Sequence, residues 1–352
     1  MPHMKFRVTS LLRVWLLGAL SVLFFEPFGS FGLFGPAAFA QQPPPPPGAY
    51  DAAPYLGQIR NDYVYGDIWE RPGLSLRDRS MITVAVTQAL NAASELRLHM
   101  GRALDNGLTE GEITEIIAQV QWYFSLPAEV DGAAIAAEVF TQRGLPESPA
   151  GAASSLSVER PAATGPAPFP DSTALSPRDR SLITVALSTA LYASGTLRVE
   201  VERALDNGVT QDELAEAITH VTFYSGFPTG VNAARVTADV LAARGLPLGD
   251  GRFPAAPYLE DLIDGLVFGE TWTRSPLSAR ERSLATIAVT LANYQSEQLR
   301  THLERGLDNG LTVQEIAELI AQVTLYSGFP SGLNGSRIFG EVLRERGLEM
   351  PK

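Results

Sequence analysis

The chain has 352 residues, a net charge of −12 and 45% hydrophobic residues, which is room and apolar content for a folded body of two or three domains. Its acidic balance excludes a nucleic-acid partner, because neutralising phosphate needs basic patches. The lack of Cys excludes disulfides, thiolate catalysis and cysteine-ligated metal, and lysines at Lys5 and Lys352 alone leave no Schiff-base residue in the body.

Residues 1–40 read as an export signal. Lys5, Arg7 and Arg13 form a basic start, Val14 to Phe25 is a short apolar run, and Ala38-Phe39-Ala40 supplies the small-residue pattern before Gln41. This predicts a periplasmic or secreted protein with no stable membrane association once the signal is cleaved; an uncleaved anchor is the other reading. Residues 41–54 follow as a linker in which Pro43 to Pro47 favour an extended polyproline conformation.

The body is one unit written three times, over 55–146, 171–248 and 249–352. Leu74 to Leu145, Leu175 to Leu246 and Leu277 to Leu348 register without insertion or deletion. Repeat 1 opens with YLGQIRNDYVYGDIWER, Tyr55 to Arg71, apolar at helical spacing. The segment returns in repeat 3 as YLEDLIDGLVFGETWTR, Tyr258 to Arg274. Repeat 2 has in its place a Pro/Ala/Ser-rich stretch, 147–170, which reads as a linker.

Each repeat then carries the same punctuation. Ser75-x-x-Asp78, Ser176-x-x-Asp179 and Ser278-x-x-Glu281 read as capping boxes, as do Thr109-x-x-Glu112, Thr210-x-x-Glu213 and Thr312-x-x-Glu315. Asn106-Gly107, Asn207-Gly208 and Asn309-Gly310 read as helix stops, since both residue types tolerate the left-handed region. Pro127, Pro228 and Pro330 precede a last helix that ends at Gly144, Gly245 and Gly347. No segment alternates with the period of a strand, so the fold class is all-α.

The ordered set of (F/Y)G-(D/E)-x-W-x-R, LSxRDRS, EL-x-x-H, ALDNG-(L/V)-T and YSGFP-x-x-x-N resembles the carboxymuconolactone decarboxylase family across most of 55–348. The resemblance implies AhpD-like helical units that assemble as trimers or hexamers. Three in tandem then imply a pseudo-trimer, and a homodimer of such chains a pseudo-hexamer. Redox members of that superfamily carry C-x-x-C-x-x-x-H; the cysteine positions here are Ala92 and Glu95, ahead of His99, so dithiol peroxidase chemistry is excluded.

Decarboxylases of the family expel carbon dioxide from a lactone acid and reprotonate the dienolate without metal or organic cofactor. The resemblance therefore implies no cofactor and a small carboxylic-acid or lactone substrate. Such chemistry needs a cation for the carboxylate, a donor for the enolate and an acid for the carbon. Glu95 and His99 share a helix face, which makes His99 the expected proton donor and Glu95 the group that orients it and holds its charge. His302 is the counterpart in repeat 3. Trp69, Arg71 and Arg79, with Trp272, Arg274, Arg282 and Tyr326 of repeat 3 and His220 of repeat 2, are the expected substrate contacts, arginine for its bidentate fit to carboxylate. The bland readings are surface ion pairs for E-x-x-x-H, inter-repeat salt bridges for the arginines and packing for the aromatics. No single repeat holds the whole set, which predicts sites built between repeats. A non-catalytic assembly or small-acid binding module is the second reading.

Overall fold

The computed structural model of the chain describes residues 50–51, 53–121, 126–145, 174–275 and 277–349. The expected export signal, most of the proline-rich linker and the 147–170 linker lie outside the described residues. Within them stand fourteen α-helices and no strand. Repeat 1 holds α1 (Pro54–Ile59), α2 (Leu76–Ala89), α3 (Ala93–Asp105), α4 (Glu110–Gln121) and α5 (Leu126–Gln142). Repeat 2 holds α6 (Pro177–Ala190), α7 (Ser194–Asp206), α8 (Gln211–Ser225) and α9 (Phe227–Ala243). Repeat 3 holds α10 (Tyr258–Leu262), α11 (Ala279–Ala292), α12 (Ser296–Asp308), α13 (Val313–Ser327) and α14 (Phe329–Arg346). The all-α, three-unit organisation is the one the repeats predict. No helix among the described residues is long and apolar enough to cross a membrane.

The opening segments differ from the plain helices expected of them. After α1 and α10 the chain winds as a π-helix over Arg60–Ile68 and Ile263–Glu270. The cause is local: a Cβ at Gly66 would lie 2.7 Å from the Asn61 carbonyl oxygen, and one at Gly269 would lie 2.6 Å from that of Asp264. Glycine alone lets the wider turn close this tightly. Each π-helical stretch ends just ahead of a tryptophan, Trp69 or Trp272, and so fixes where the indole is delivered.

Two expected signals act differently from their sequence reading. Among the Ser-led boxes, that of Ser278 and Glu281 closes in both directions, whereas Ser75 and Ser176 accept from the Asp78 and Asp179 amides. The aspartates, one methylene shorter than glutamate, turn instead to arginines of the facing repeat. At the Asn-Gly stops only the glycines are left-handed, Gly107 at φ +93° for one. Asn106, Asn207 and Asn309 stay right-handed and donate to Ser80, Ser181 and Ser283 of the preceding long helix at 2.8–2.9 Å.

Repeats 1 and 2 face each other through α2 and α6, and the contact is reciprocal. Arg77 pairs with Asp179 at 3.0 Å and Arg178 pairs with Asp78 at 3.0 Å. Arg79 pairs with Glu216, and Arg180 pairs with Glu115. Contacts in which i meets j and j meets i define a two-fold relation. The apolar consequence is that Ile82, Val86, Ile183 and Leu187 are all buried, and the two repeats share one core. At about 1.5–3 kcal/mol for each such side chain removed from water, this face is a large part of what holds the pair.

The opening segments of repeats 1 and 3 form a second reciprocal contact. Arg71 covers the Tyr258 ring at 3.8 Å and Arg274 covers the Tyr55 ring at 3.5 Å. Phe253, Leu259 and Ile263 sink into the core of repeats 1 and 2, while α11–α14 build a core of their own around Ile287, Leu303 and Ile316. Two of the contacts that join the three units are thus reciprocal and dyad-like. Repeats 2 and 3 meet head to tail, with the start of α9 against the opening segment and α12 of repeat 3.

Candidate functional site

Two regions gather site residues expected from the sequence, and both lie between repeats. The first is a buried cluster of repeats 1 and 2. The π-helical stretch delivers Trp69, whose ring stacks on His99 with centroids 5.8 Å apart and planes 13° from parallel. From repeat 2, Tyr224 accepts the Trp69 indole proton at 2.9 Å and sets its ring edge against His99. His220 bonds Thr83 through Nε2 at 2.8 Å and stands with Nδ1 3.5 Å from Arg79. Burial, and then the charges of Arg102 and Arg60, hold the His99 pKa down at about 3. Burial and Arg79 likewise push His220 well below its usual range, and burial pushes Tyr224 up. At neutral pH both imidazoles and the phenol are uncharged.

The second region is a cavity of about 440 Å³ between repeats 2 and 3. Phe227, Val231 and Arg235 of α9 form one wall; Trp272, His302, Gln298 and Thr286 of repeat 3 form the other, with Phe253, Phe268 and Arg305 closing it. Trp272 stacks on His302 at 6.1 Å and 16°, as Trp69 does on His99. Burial, and then Arg305, lower the His302 pKa to about 4. Nδ1 of both His99 and His302 is buried with no hydrogen-bond partner among the described residues.

One arginine per repeat, at matching positions, differs in its partners. In repeat 2, Arg203 sits one turn beyond Glu200 and pairs with it at 2.9 Å. In repeats 1 and 3 the glutamate is replaced by His99 and His302, so Arg102 and Arg305 lose that partner. Arg102 lies over the Tyr65 and Trp69 rings at 4.4 and 4.5 Å, and its Nη1 is buried without a hydrogen-bond partner. Arg305 lies over the Phe268 ring at 3.7 Å, pairs with no carboxylate among the described residues, and lines the cavity. An arginine held on aromatic faces with free donors is a receptor for a carboxylate.

The residues expected from the sequence divide accordingly. His99, Trp69, Arg79 and His220 come together in the first region, and His302 and Trp272 in the second. Arg71 and Arg79 are both engaged by Glu216, Arg71 with N–O distances of 2.6–3.0 Å, so their charge is already answered. The hydrogen bonds from those two arginines outweigh burial and keep Glu216 ionised. Glu95 is largely solvent-exposed, with its carboxylate 4.0 Å from His99 Nε2, and the imidazole it was expected to hold charged is neutral. Arg282 donates to the Arg274 carbonyl, and Arg274 is spent on Tyr55. Tyr326 is 87% exposed and does not line the cavity. Arg102, Arg305 and Glu216 were not singled out from the sequence; the readable signal was H-x-x-R in repeats 1 and 3 against E-x-x-R in repeat 2.

Known proteins are similar to parts of this chain. A 4-carboxymuconolactone decarboxylase of Acinetobacter baylyi is 39% identical over 83 residues, 24% of this chain and 62% of that protein. A nitrosuccinic acid decarboxylase of Metarhizium robertsii is 33% identical over 74 residues, 21% of this chain and 52% of that protein. An uncharacterized 15.0 kDa protein of Paracoccus denitrificans is 37% identical over 84 residues, 23% of this chain and 63% of that protein. The chain therefore spans between about half and just under two thirds of the length of these relatives in each alignment. The profile of one family matches residues 54–138, 169–239 and 257–340, one stretch per repeat, and the chain belongs to that family, the carboxymuconolactone decarboxylases.

Proposed function

We propose that the chain is a decarboxylase that works without a cofactor on a small carboxylic acid of the lactone or β-keto type, in the cavity between repeats 2 and 3. The observation that carries the reading is Arg305, a guanidinium without a carboxylate partner among the described residues, beside the neutral, buried His302. Two relatives named as decarboxylases of carboxylated small molecules support the reaction class.

The substrate carboxylate seats on Arg305, whose aromatic floor fixes its direction. Burial chiefly, and Arg305 after it, depress His302; the bound anion offsets the Arg305 charge and sets a negative charge near the ring, which raises the imidazole's affinity for a proton when substrate binds. Carbon dioxide then leaves and the bonding pair stays on the adjacent carbon as an enolate. The His302 imidazolium delivers a proton to that carbon, and water restores the proton to the ring. The sum is one carboxylate and one proton giving the protonated product and carbon dioxide. The leader expected from the sequence would place this reaction outside the cytoplasm.

The test is carbon dioxide release from a panel of carboxylated lactones and β-keto acids, with wild type beside His302→Ala and Arg305→Gln. Release by wild type that falls at least a hundredfold in both variants is the expected result. Release that survives in both variants overturns the assignment of the cavity. No release from any panel member overturns the reaction class.

A further inference from the structure

Glu95 and Gln298 occupy matching places near the start of α3 and α12, each one turn before its histidine. The Glu95 side chain is largely exposed, whereas Gln298 is 7% exposed and lines the cavity. The Gln298 carboxamide makes no hydrogen bond among the described residues. A carboxamide kept from water without a partner is costly, and a ligand that accepts from it removes that cost. Thr286 and Thr301, which line the same cavity, donate instead to the Arg282 and Glu297 carbonyls of their own helices. Gln298, His302 and Arg305 stand at i, i+4 and i+7 on α12, which is one helix face, and all three line the cavity. Carboxamide, imidazole and guanidinium therefore follow one another along the wall. A β-keto acid carries its carbonyl oxygen, its reacting carbon and its carboxylate in the same order.

On the decarboxylase reading of this cavity, we propose that Gln298 is a catalytic residue whose side-chain N–H donates to the substrate's carbonyl oxygen and holds the charge that oxygen takes as carbon dioxide leaves. With the carboxylate on Arg305, the carbon to be protonated faces His302 and the carbonyl oxygen beyond it reaches Gln298. The bond from that carbon to the carboxylate carbon breaks, its electron pair forms a carbon–carbon double bond, and the carbonyl pair moves onto oxygen. The Gln298 proton stays on nitrogen throughout; the proton that reaches carbon is that of the His302 imidazolium. An amide suits this place and a carboxylate does not. An ionised glutamate, as in repeat 1, can only accept and opposes the charge growing on the oxygen, whereas the amide donates and carries no charge of its own. The contact also sets specificity: the substrate must carry a ketone or lactone carbonyl next to the carbon that loses carbon dioxide.

Two readouts separate this role from the reaction class. In the first, Gln298→Leu and Gln298→Glu are assayed for carbon dioxide release beside wild type, His302→Ala and Arg305→Gln. In both Gln298 variants kcat is expected to fall by about 100–1,000-fold, the worth of one oxyanion donor, while KM rises by no more than about tenfold. The second needs no turnover. Titration calorimetry compares malonamate, which holds a carbonyl oxygen in the same relation to its carboxylate and does not lose carbon dioxide, with butanoate, which lacks that oxygen. The malonamate-to-butanoate affinity ratio of wild type is expected to drop by about 2–10-fold in Gln298→Leu, the worth of one neutral hydrogen bond. Gln298→Glu decides in its place if the leucine variant does not fold. Variants that keep the wild-type kcat, or an unchanged affinity ratio, overturn the role of Gln298 while leaving Arg305 and His302 in theirs. A wild type that releases no carbon dioxide overturns the reaction class, and the affinity ratio alone then decides whether Gln298 holds the oxygen.

Discussion

Glu200 pairs with Arg203 at 2.9 Å one turn along α7, and repeats 1 and 3 have taken that pair apart by placing a histidine where the glutamate stands. The substitution removes the acid and leaves the arginine. It leaves Arg102 and Arg305 over aromatic rings without an acid one turn before them, and it adds an imidazole at that position. Repeat 2 keeps the closed form and lends its other end, Tyr224, His220 and Glu216, to repeat 1.

Restoring the pair should close the site. His302→Glu puts an acid one turn before Arg305, the arrangement that repeat 2 already tolerates. The thermal midpoint is expected to stay near that of wild type, while binding of a small dicarboxylate such as succinate falls. Arg305→Gln should weaken the same binding by roughly 10–100-fold, the worth of hydrogen bonds to a charged group. Titration calorimetry with succinate checks both; undiminished binding in His302→Glu would show that Arg305 is not the receptor.

Stability should depend on pH through the histidines. The folded pKa values of His99 and His302 are about 3 and about 4, below the unfolded value of 6.5. Between those limits the unfolded chain binds more protons than the folded one, so folding stability is full above pH 6.5 and is lost as pH falls toward 4 and then 3. His99→Gln should flatten this dependence over that window. Urea titrations at pH 7, 5.5 and 4.5 measure it; an equal slope in wild type and variant would show that His99 is not held neutral.

Much of the fold was legible because it is written in short-range signals. The Ser-, Thr-, Asn-Gly- and Pro-marked boundaries needed only a few residues of context, and three copies in register made each one count three times. What the sequence left open was which residues meet between repeats. Asp78 looks like a cap from its neighbours, and only the approach of Arg178 shows that it serves the interface. Arg79 looks like a free carboxylate receptor until Glu216 is brought against it across 137 positions of chain. The opening helices looked regular because apolar spacing does not distinguish an α-helix from a π-helix over so few turns. Arg102 and Arg305 could have been found by comparing the repeats with one another rather than with a family pattern.

Removing Glu216 should be costly in a way that removing a surface glutamate is not. Glu216→Ala leaves the fully buried Arg79 without its carboxylate, which should lower stability by roughly 3–5 kcal/mol. The same change at Glu202, an exposed residue of α7 with no acceptor role for a buried cation, should stay within about 0.5 kcal/mol. Chemical denaturation of the two variants compares them directly; equal losses would mean that Arg79 finds another partner in the folded state.

The π-helical turns should be the most sensitive backbone features of the chain. At Gly66 an added methyl would stand 2.7 Å from the Asn61 carbonyl oxygen, and backbone cannot swing aside as a side chain can. Gly66→Ala must therefore either pull the segment back toward α-helical winding or peel it from the body. Either outcome moves Trp69, breaks its 2.9 Å bond to Tyr224 and unstacks it from His99. A loss of about 1–3 kcal/mol is expected, with a change in the near-ultraviolet circular dichroism of the aromatic cluster. Gly195, on α7, is the internal control. It has a helical backbone and open space where a Cβ would go, so Gly195→Ala should stabilise the chain by about 0.5–1 kcal/mol. Two glycine-to-alanine changes of opposite sign in one protein separate a steric requirement from helix propensity; a Gly66→Ala variant as stable as wild type would show that the tryptophan is positioned by something other than the turn.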